Sequence, residues 1–415
     1  MNLQRSIVQK NLACDAWIGG HLIIAIMWLA LSAIAFGNDE ITSGELRSTS
    51  ADVARLIEQL GADSFSQRER ASKKLLARGL DAYADLQNAE NHSDRETRMR
   101  VRRLLLNLVE IDRQTQLSEF IANMEGDFEQ LPSWIRLRDI VGDTRAARML
   151  MAGVLRDNWD VLAESERDAN SAEATLARRC EELQYSRSVQ RRQLNREDVA
   201  ALLLLAVNPN VGVYQQTQQK IYNLCYRIRF ADNQSGGVSI TDDDPLRKLL
   251  GAWVARPSDV ANTAFYSLNL ALRFSLAEGL VPAVQVLEEN NAAPYIRQYA
   301  ILTVARFKNH ESVPLLKTLL DDESVCYSQT DPKTKNIAFQ SQVRDVALAI
   351  LLYLDGHDPK DFGFEKRRPS TNMVYQPNTL GFGNDELRAA AFDAWKVLDA
   401  AKIEETIAAE SLSES

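Results

Sequence analysis

Two stretches of the chain match one another at a fixed interval. Residues 271–287 (ALRFSLAEGLVPAVQVL) and 304–320 (VARFKNHESVPLLKTLL) place Arg273-Phe274 against Arg306-Phe307 at a shift of 33 residues, and Val281-Pro282 against Val313-Pro314 at a shift of 32. A recurrence of this length, with apolar residues at helical intervals, marks units of two helices. One such unit cannot bury its own apolar face, so neighbouring units must stack and bury it jointly. The repeat therefore predicts an all-α fold, specifically an α-α superhelix. Composition agrees. Of 415 residues 45% are apolar and 25% charged, enough for a core, while 18 glycines and 11 prolines are few for a fold built on tight turns. The net charge of −9 argues against general affinity for nucleic acid or anionic lipid.

The helical period runs through most of the chain. Val53, Leu56, Ile57 and Leu60 form one stripe, and Gly61 ends it. Asp63 or Ser64 is placed to cap a second helix with Phe65, Ala71, Leu75 and Leu76, closed by Gly79. A third helix is expected over 80–89, and Ser93 or Asp94 opens a fourth with Met99, Val101, Leu104, Leu105 and Leu108. The middle is helical but less regular, with the apolar run ALLLLAV at 201–207 and a helix start at Pro132-Ser133-Trp134. Residues 232–245 read as a loop whose Asp244-Pro245 forms an N-cap with proline at the first helical position. The expected organisation is N-terminal helices over 51–125, an irregular middle over 130–235, repeats over 245–356, a loop over 357–383 and a capping helix over 384–410. Leu387, Ala391, Trp395 and Leu398 share a face of that last helix.

Val313-Pro314-Leu315-Leu316, then Leu319-Leu320-Asp321-Asp322, then Val343-Arg344-Asp345-Val346-Ala347 is similar to the HEAT-repeat pattern. The departure is an insert, 323–342, expected to be a loop on one edge. Asp63, Arg68, Glu69 and Ala71, with Asp94, Arg98 and Arg102, resemble divergent units of the same kind. Leu351–Pro359 followed by Phe362-Gly363-Phe364 resembles the C-terminal boundary of HEAT-like proteins exported by planctomycete-type bacteria. The resemblance implies an armadillo-type α-solenoid. It speaks to architecture and hardly at all to chemistry.

Residues 22–36 carry no charge and follow Arg5 and Lys10, offset by Asp15. With Ala33-Ile34-Ala35 as a cleavage pattern, or Ala35-Phe36-Gly37 as a second, 1–37 reads as a signal peptide before a polar linker, 38–50. The alternative is a retained anchor using 18–36. Either places 38–415 outside the cytoplasm, so the protein is expected to be exported, in the periplasm or held at the membrane. Without 1–37 the charge is −10, and Cys180, Cys225 and Cys326 remain, an odd number with no C-x-x-C.

No catalytic or metal motif stands out, and no cofactor is expected. His92, His310 and His357 are far apart, the latter two at equivalent turns of the repeat. Asp242, Asp243 and Asp244 lack the ligand spacing of a calcium loop, and Gly236-Gly237 lacks the rest of a phosphate loop. Arginines crowd two places. Arg95, Arg98, Arg100, Arg102 and Arg103 stand at one helix start. Arg178, Arg179, Arg187, Arg191, Arg192 and Arg196 stand in the middle, where Arg187, Arg191, Arg192 and Arg196 form like-charge pairs that an anionic partner would relieve. A solvated face with internal partners is the plainer account. The leading expectation is a non-catalytic exported solenoid that binds a protein or peptide. An enzyme or enzyme subunit with dispersed site residues, and a nucleic-acid-binding HEAT-like protein, are the alternatives.

Overall fold

Helices make up most of what the computed structural model describes, which is residues 50–188, 194–226, 243–256, 263–289 and 291–413. Ala33, Ala35 and Gly37, with the rest of the N-terminal segment, lie outside the described residues, as do Arg191, Arg192, Gly236, Gly237 and Asp242. Arg187 lies on a described helix, but its side chain falls outside. No helix among the described residues is long and apolar enough to cross a membrane. The chain divides into two units, one ending at Arg113 and one starting at Gln114.

The first unit holds α1 (Ser50–Gln59), α2 (Phe65–Ala77), α3 (Tyr83–Asn88) and most of α4 (Arg95–Ala122). Val53, Leu56, Ile57 and Leu60 are buried as the stripe predicts, against Ala71, Leu75, Leu86, Val101, Leu104 and Leu108. Two apolar positions do not follow. Phe65 and Met99 are 64% and 56% exposed: Phe65 is the first residue of its helix, and on α4 the buried face carries Thr97, Val101, Leu104 and Leu108 instead. Ser64 stands at the N-cap of α2 without a side-chain capping bond. Asp94 does cap, accepting from the Thr97 backbone N–H at 2.7 Å and its hydroxyl at 2.9 Å. Two arginines do the same work 30 residues apart. Arg68 donates to the carbonyls of Ala62 and Asp63 at 2.7 and 2.9 Å, and Arg98 to those of His92 and Ser93 at 2.5 and 2.7 Å.

The second unit runs through α5 (Trp134–Val141), α6 (Arg145–Arg167), α7 (Ala169–Ser188), α8 (Arg196–Ala206), α9 (Gln215–Tyr226), α10 (Pro245–Val254), α11 (Ala264–Phe274), α12 (Leu280–Glu289), α13 (Pro294–Arg306) and α14 (Val313–Thr318). After α14 come β1 (Val325–Thr330), β2 (Ile337–Gln342), α15 (Val343–Leu354), β3 (Pro369–Ser370), β4 (Val374–Tyr375) and α16 (Asp385–Ser413). Packing is between near neighbours: α6 on α8, α8 on α10, α10 on α11, α11 on α13, α13 on α15. Alongside, α7 lies on α9, α9 on α11 and α12 on α14. The run 201–206 is buried throughout, which its uninterrupted apolar character requires. Asp244 caps α10 as expected, accepting from Leu246 N–H at 2.9 Å with Pro245 at the first helical position.

The sequence repeat coincides with a repeated turn. Three helices end in a left-handed residue followed by an amide that donates to the carbonyl five residues back. Ser275 (φ 53°) precedes Leu276 N–H to Ala271 O at 2.9 Å, Lys308 (φ 48°) precedes Asn309 N–H to Val304 O at 3.1 Å, and Gly356 (φ 85°) precedes His357 N–H to Leu352 O at 2.9 Å. Only glycine adopts this conformation without steric cost, so Ser275 and Lys308 hold it because the packed helices on either side fix it.

The insert 323–342 is not a loop but an antiparallel hairpin, pairing Val325 with Gln342 through Thr330 with Ile337. Its period is two: Phe339 and Ser341 point inward, and Asp331 closes the turn by accepting from the backbone of Lys333 and Thr334 at 2.7 and 3.0 Å. Gln340 and Phe382 exchange backbone bonds at 2.9 Å each. Gly381 is needed beside them, because a Cβ there would lie 2.2 Å from the Gln340 carbonyl oxygen. The stretch 357–383 likewise is more than a crossing loop. It carries the β3–β4 ribbon and sends Phe364, Tyr375, Leu380 and Phe382 into the core.

The last helix, α16, buries Ala391 and Trp395 and half-buries Leu398, but Leu387 is 52% exposed. Arg388 takes the inward place instead. It is buried and donates to Asp345 of α15 at 2.9 Å, and Asp345 in turn accepts from the Gln342 amide at 3.0 Å in a capping box.

Candidate binding face and cavities of the second unit

Aromatic side chains on three alternate helices form one continuous face. Tyr222 and Tyr226 on α9, and Tyr295 and Tyr299 on α13, are each four residues apart and so share a side of their helix. Between them α11 presents Phe265, Tyr266, Asn269 and Arg273. Because α9 packs on α11 and α11 on α13, the rings meet. Tyr222 lies 5.4 Å from Tyr226 and 5.1 Å from Tyr266, and Phe265 lies 5.1 Å from Tyr299 and 5.7 Å from Tyr295. The inner rings are half-buried, while Tyr226 and Tyr295 remain 36% and 44% exposed.

The polar tips are organised too. The Tyr222 hydroxyl donates to Asn269 Oδ1 at 3.1 Å. Burial, more than the neighbouring phenols, raises the Tyr222 and Tyr299 hydroxyls above their ordinary range, so both stay neutral donors. The Arg273 guanidinium sits 4.1 Å from the Tyr226 ring centroid and has no carboxylate within ion-pair reach among the described residues. A surface of rings, neutral hydroxyls and one stacked cation is suited to holding a partner by desolvation and oriented hydrogen bonds. The residue spacing in α9 and α13 carries this face, yet nothing in either helix alone distinguishes it from an ordinary core stripe.

Two cavities hold the remaining polar chemistry. One, about 540 Å³, is lined by Ser133, Arg136, Glu166 and Asn208 among others. Ser133 has a left-handed backbone (φ 62°), and its N–H and hydroxyl donate to Glu166 Oε1 at 2.7 and 3.1 Å while Arg136 donates to its Oγ at 3.1 Å. Burial draws the Arg136 guanidinium below its ordinary value, against the pull of Glu166. A lone carboxylate is too weak a base to ionise a serine hydroxyl at neutral pH. What these contacts do is hold the strained first turn of α5 and place a negative charge at its N-terminus.

The other cavity, about 440 Å³, brings His310 and His357 together, with Tyr353, Asp358 and Tyr375 on the same wall. The equivalent turns expected from the repeat thus open on one space. Asp358 is committed to Arg367, whose hydrogen bond keeps its carboxyl below the usual carboxylate range. Among the described residues no group of three or more histidines, cysteines or carboxylates is placed to hold a metal ion. Cys180, Cys225 and Cys326 form no disulfide, and burial pushes the thiols of Cys180 and Cys326 up to about 12, where they are not nucleophilic.

Several of the clustered arginines make internal contacts. Arg196 donates to both oxygens of Asp244, at 2.8 and 2.7 Å, so this member of the middle patch is bound to the cap of α10. Arg179 pairs with the buried Asp198 at 3.1 Å. In the first unit Arg100 pairs with Glu96 at 2.7 Å and Glu69 at 2.8 Å, whereas Arg95, Arg102 and Arg103 are exposed. Comparison of the chain with protein-family models, with curated proteins and with solved structures gives no match.

Proposed function

We propose that the chain is a non-catalytic, exported α-solenoid of HEAT-like units that binds a protein or peptide across the α9–α11–α13 face. The observation that carries the reading is the aromatic stripe. It crosses three helices without interruption, keeps Tyr226 and Tyr295 in solvent and includes Arg273. Tyrosine and arginine are the residues that dominate binding energy at protein interfaces, because they desolvate a large area at little entropic cost. The recurrent left-handed turns at Ser275, Lys308 and Gly356 support stacking of like units, and stacking offers extended faces rather than deep pockets. Export rests on the apolar segment 22–36, with cleavage after Ala35 or Gly37, or retention of 18–36 as an anchor.

The test is site-specific photo-crosslinking in the native envelope. A crosslinker at Tyr295 is expected to capture one partner in stoichiometric yield, and a crosslinker at the equally exposed Val281 of α12 is not. Combined Tyr226→Ala, Tyr295→Ala and Arg273→Ala substitution should abolish the capture while leaving the melting temperature in place. Equal labelling from both positions would overturn the reading.

A further inference from the structure

The hairpin insert and the ribbon after α15 enclose a pocket of about 460 Å³ whose lining includes three consecutive basic residues, Lys366, Arg367 and Arg368. Tyr327 and Gln329 of β1 form one wall, Gln376 and Asn378 the other. The three cations are not alike. Arg367 is neutralised by Asp358, its Nε donating to Oδ1 at 2.5 Å. Lys366 and Arg368 are exposed, and neither has a carboxylate within ion-pair reach among the described residues. Glu365, the one carboxylate on the lining, is exposed and makes no ion pair.

The Lys366 ammonium and the Arg368 main chain are each anchored. The Lys366 ammonium rests 4.6 Å from the centroid of the buried Phe339 ring. The Arg368 backbone is pinned on either side, its N–H donating to Thr379 Oγ1 at 3.1 Å and its carbonyl accepting from Gln376 N–H at 2.9 Å. The chain as a whole is acidic, at net −9, yet Lys366 and Arg368 line one concavity without an ion-pair partner among the described residues. An anion seated in the pocket would gain a charge-assisted hydrogen bond from each cation. Amide side chains and a phenol supply further hydrogen-bond donors around the same space, as oxyanion recognition requires.

We propose that this pocket binds a multiply charged oxyanion of the phosphate or sulfate class, with Lys366 and Arg368 as its charge partners and Gln329, Gln376 and Asn378 as neutral donors. The site is separate from the aromatic face and stands or falls without the protein-binding reading.

Isothermal titration of the full chain with inorganic phosphate, and separately with sulfate, tests it, ionic strength being fixed with chloride. One saturable site is expected, and the stronger of the two anions names the class. Lys366→Gln with Arg368→Gln should weaken binding at least about tenfold, since each charged hydrogen bond lost is worth that much or more. Both side chains are exposed, so the variant keeps the parent's melting temperature in anion-free buffer. Lys396→Gln, on the exposed side of α16, should leave the affinity unchanged. No saturable heat with either anion, or equal affinity in the double variant, would overturn the proposal.

Discussion

Helices α11, α13 and α15 end in a backbone device, the left-handed turn at Ser275, Lys308 and Gly356, whereas the ends of α4 and α8 are closed by arginine side chains. Arg148, 1% exposed, donates to the carbonyls of Phe120, Asn123 and Met124 at 2.9, 2.5 and 2.9 Å and to Asp143 at 2.7 Å, with the rings of Phe120, Phe128 and Trp134 packed around it. Arg256 reaches the carbonyls of Ala206 and Val211 in the same manner. At the end of α11 both devices meet, since Arg247 binds the carbonyls of Phe274 and Ser275 at 2.5 and 2.6 Å. The two solutions satisfy the same orphan carbonyls. They differ in reach: a backbone turn is local, while an arginine gathers carbonyls 24 to 50 residues away.

The comparison breaks most sharply at Arg148. Arg148→Met leaves the Asp143 carboxylate and three helix-end carbonyls without their partner, and should cost about 3–5 kcal/mol in urea unfolding. Hydrogen exchange should rise first in α6, with α13 following only at global unfolding. Uniform loosening of both would merge the two regions into one cooperative whole. The same pair predicts an acid limb. The Arg148 hydrogen bond holds Asp143 below its ordinary carboxylate value, so its contribution is present above the unfolded value and lost as pH falls through the folded one. Asp143→Asn should flatten that limb in melts taken across the acid range.

Next in size is the array's own core. Leu319 is 3% exposed, and Leu319→Ala should cost about 2–5 kcal/mol. Leu387→Ala, on the solvent side of α16, should stay within about 0.5 kcal/mol. Coincident melts for Leu319→Ala and the parent would mean the repeat register is misplaced. The smallest effect has the opposite sign. Lys308→Gly relieves a left-handed residue and should stabilise by about 0.5–1 kcal/mol, the strain of about 1–2 kcal/mol less the entropy glycine adds to the unfolded chain. A destabilised Lys308→Gly would show that the lysine stem, not the turn, is what matters there.

This contrast also explains what the sequence discloses. The apolar stripes of α1 and α8, the Asp244-Pro245 cap and the repeat around Arg273 and Arg306 are local patterns, and each reappears in the structure. Leu387 is misread because helical spacing alone cannot say that Arg388, one position on, has a buried carboxylate waiting on α15. The hairpin has period-two signals, yet they are weak beside the helical frame around them, and its pairing with Phe382 comes from far along the chain. The aromatic face is the plainest case. Its residues lie on three helices separated by tens of positions, so only packing makes them one surface. Some arginines invert the same lesson: Arg179 and Arg196 stand near one another in sequence, yet bind Asp198 and Asp244, 19 and 48 residues further on.

The buried pair of Asp345 and Arg388 sets an order of events during synthesis. Helices α11 to α14 find most of their packing partners among near neighbours, and such local contacts form quickly once both segments exist. Helix α15 does not have that freedom, because Asp345 has its cation 43 residues further on. Gln298 waits for the Pro377 carbonyl, 79 residues away, and Lys317 for Asp399, 82 away. A ribosome that has passed α15 but not α16 therefore holds a nascent chain with a desolvated carboxylate and an open apolar end. Completion of the last helix pairs that carboxylate with Arg388 and covers the apolar end with Ala391 and Trp395.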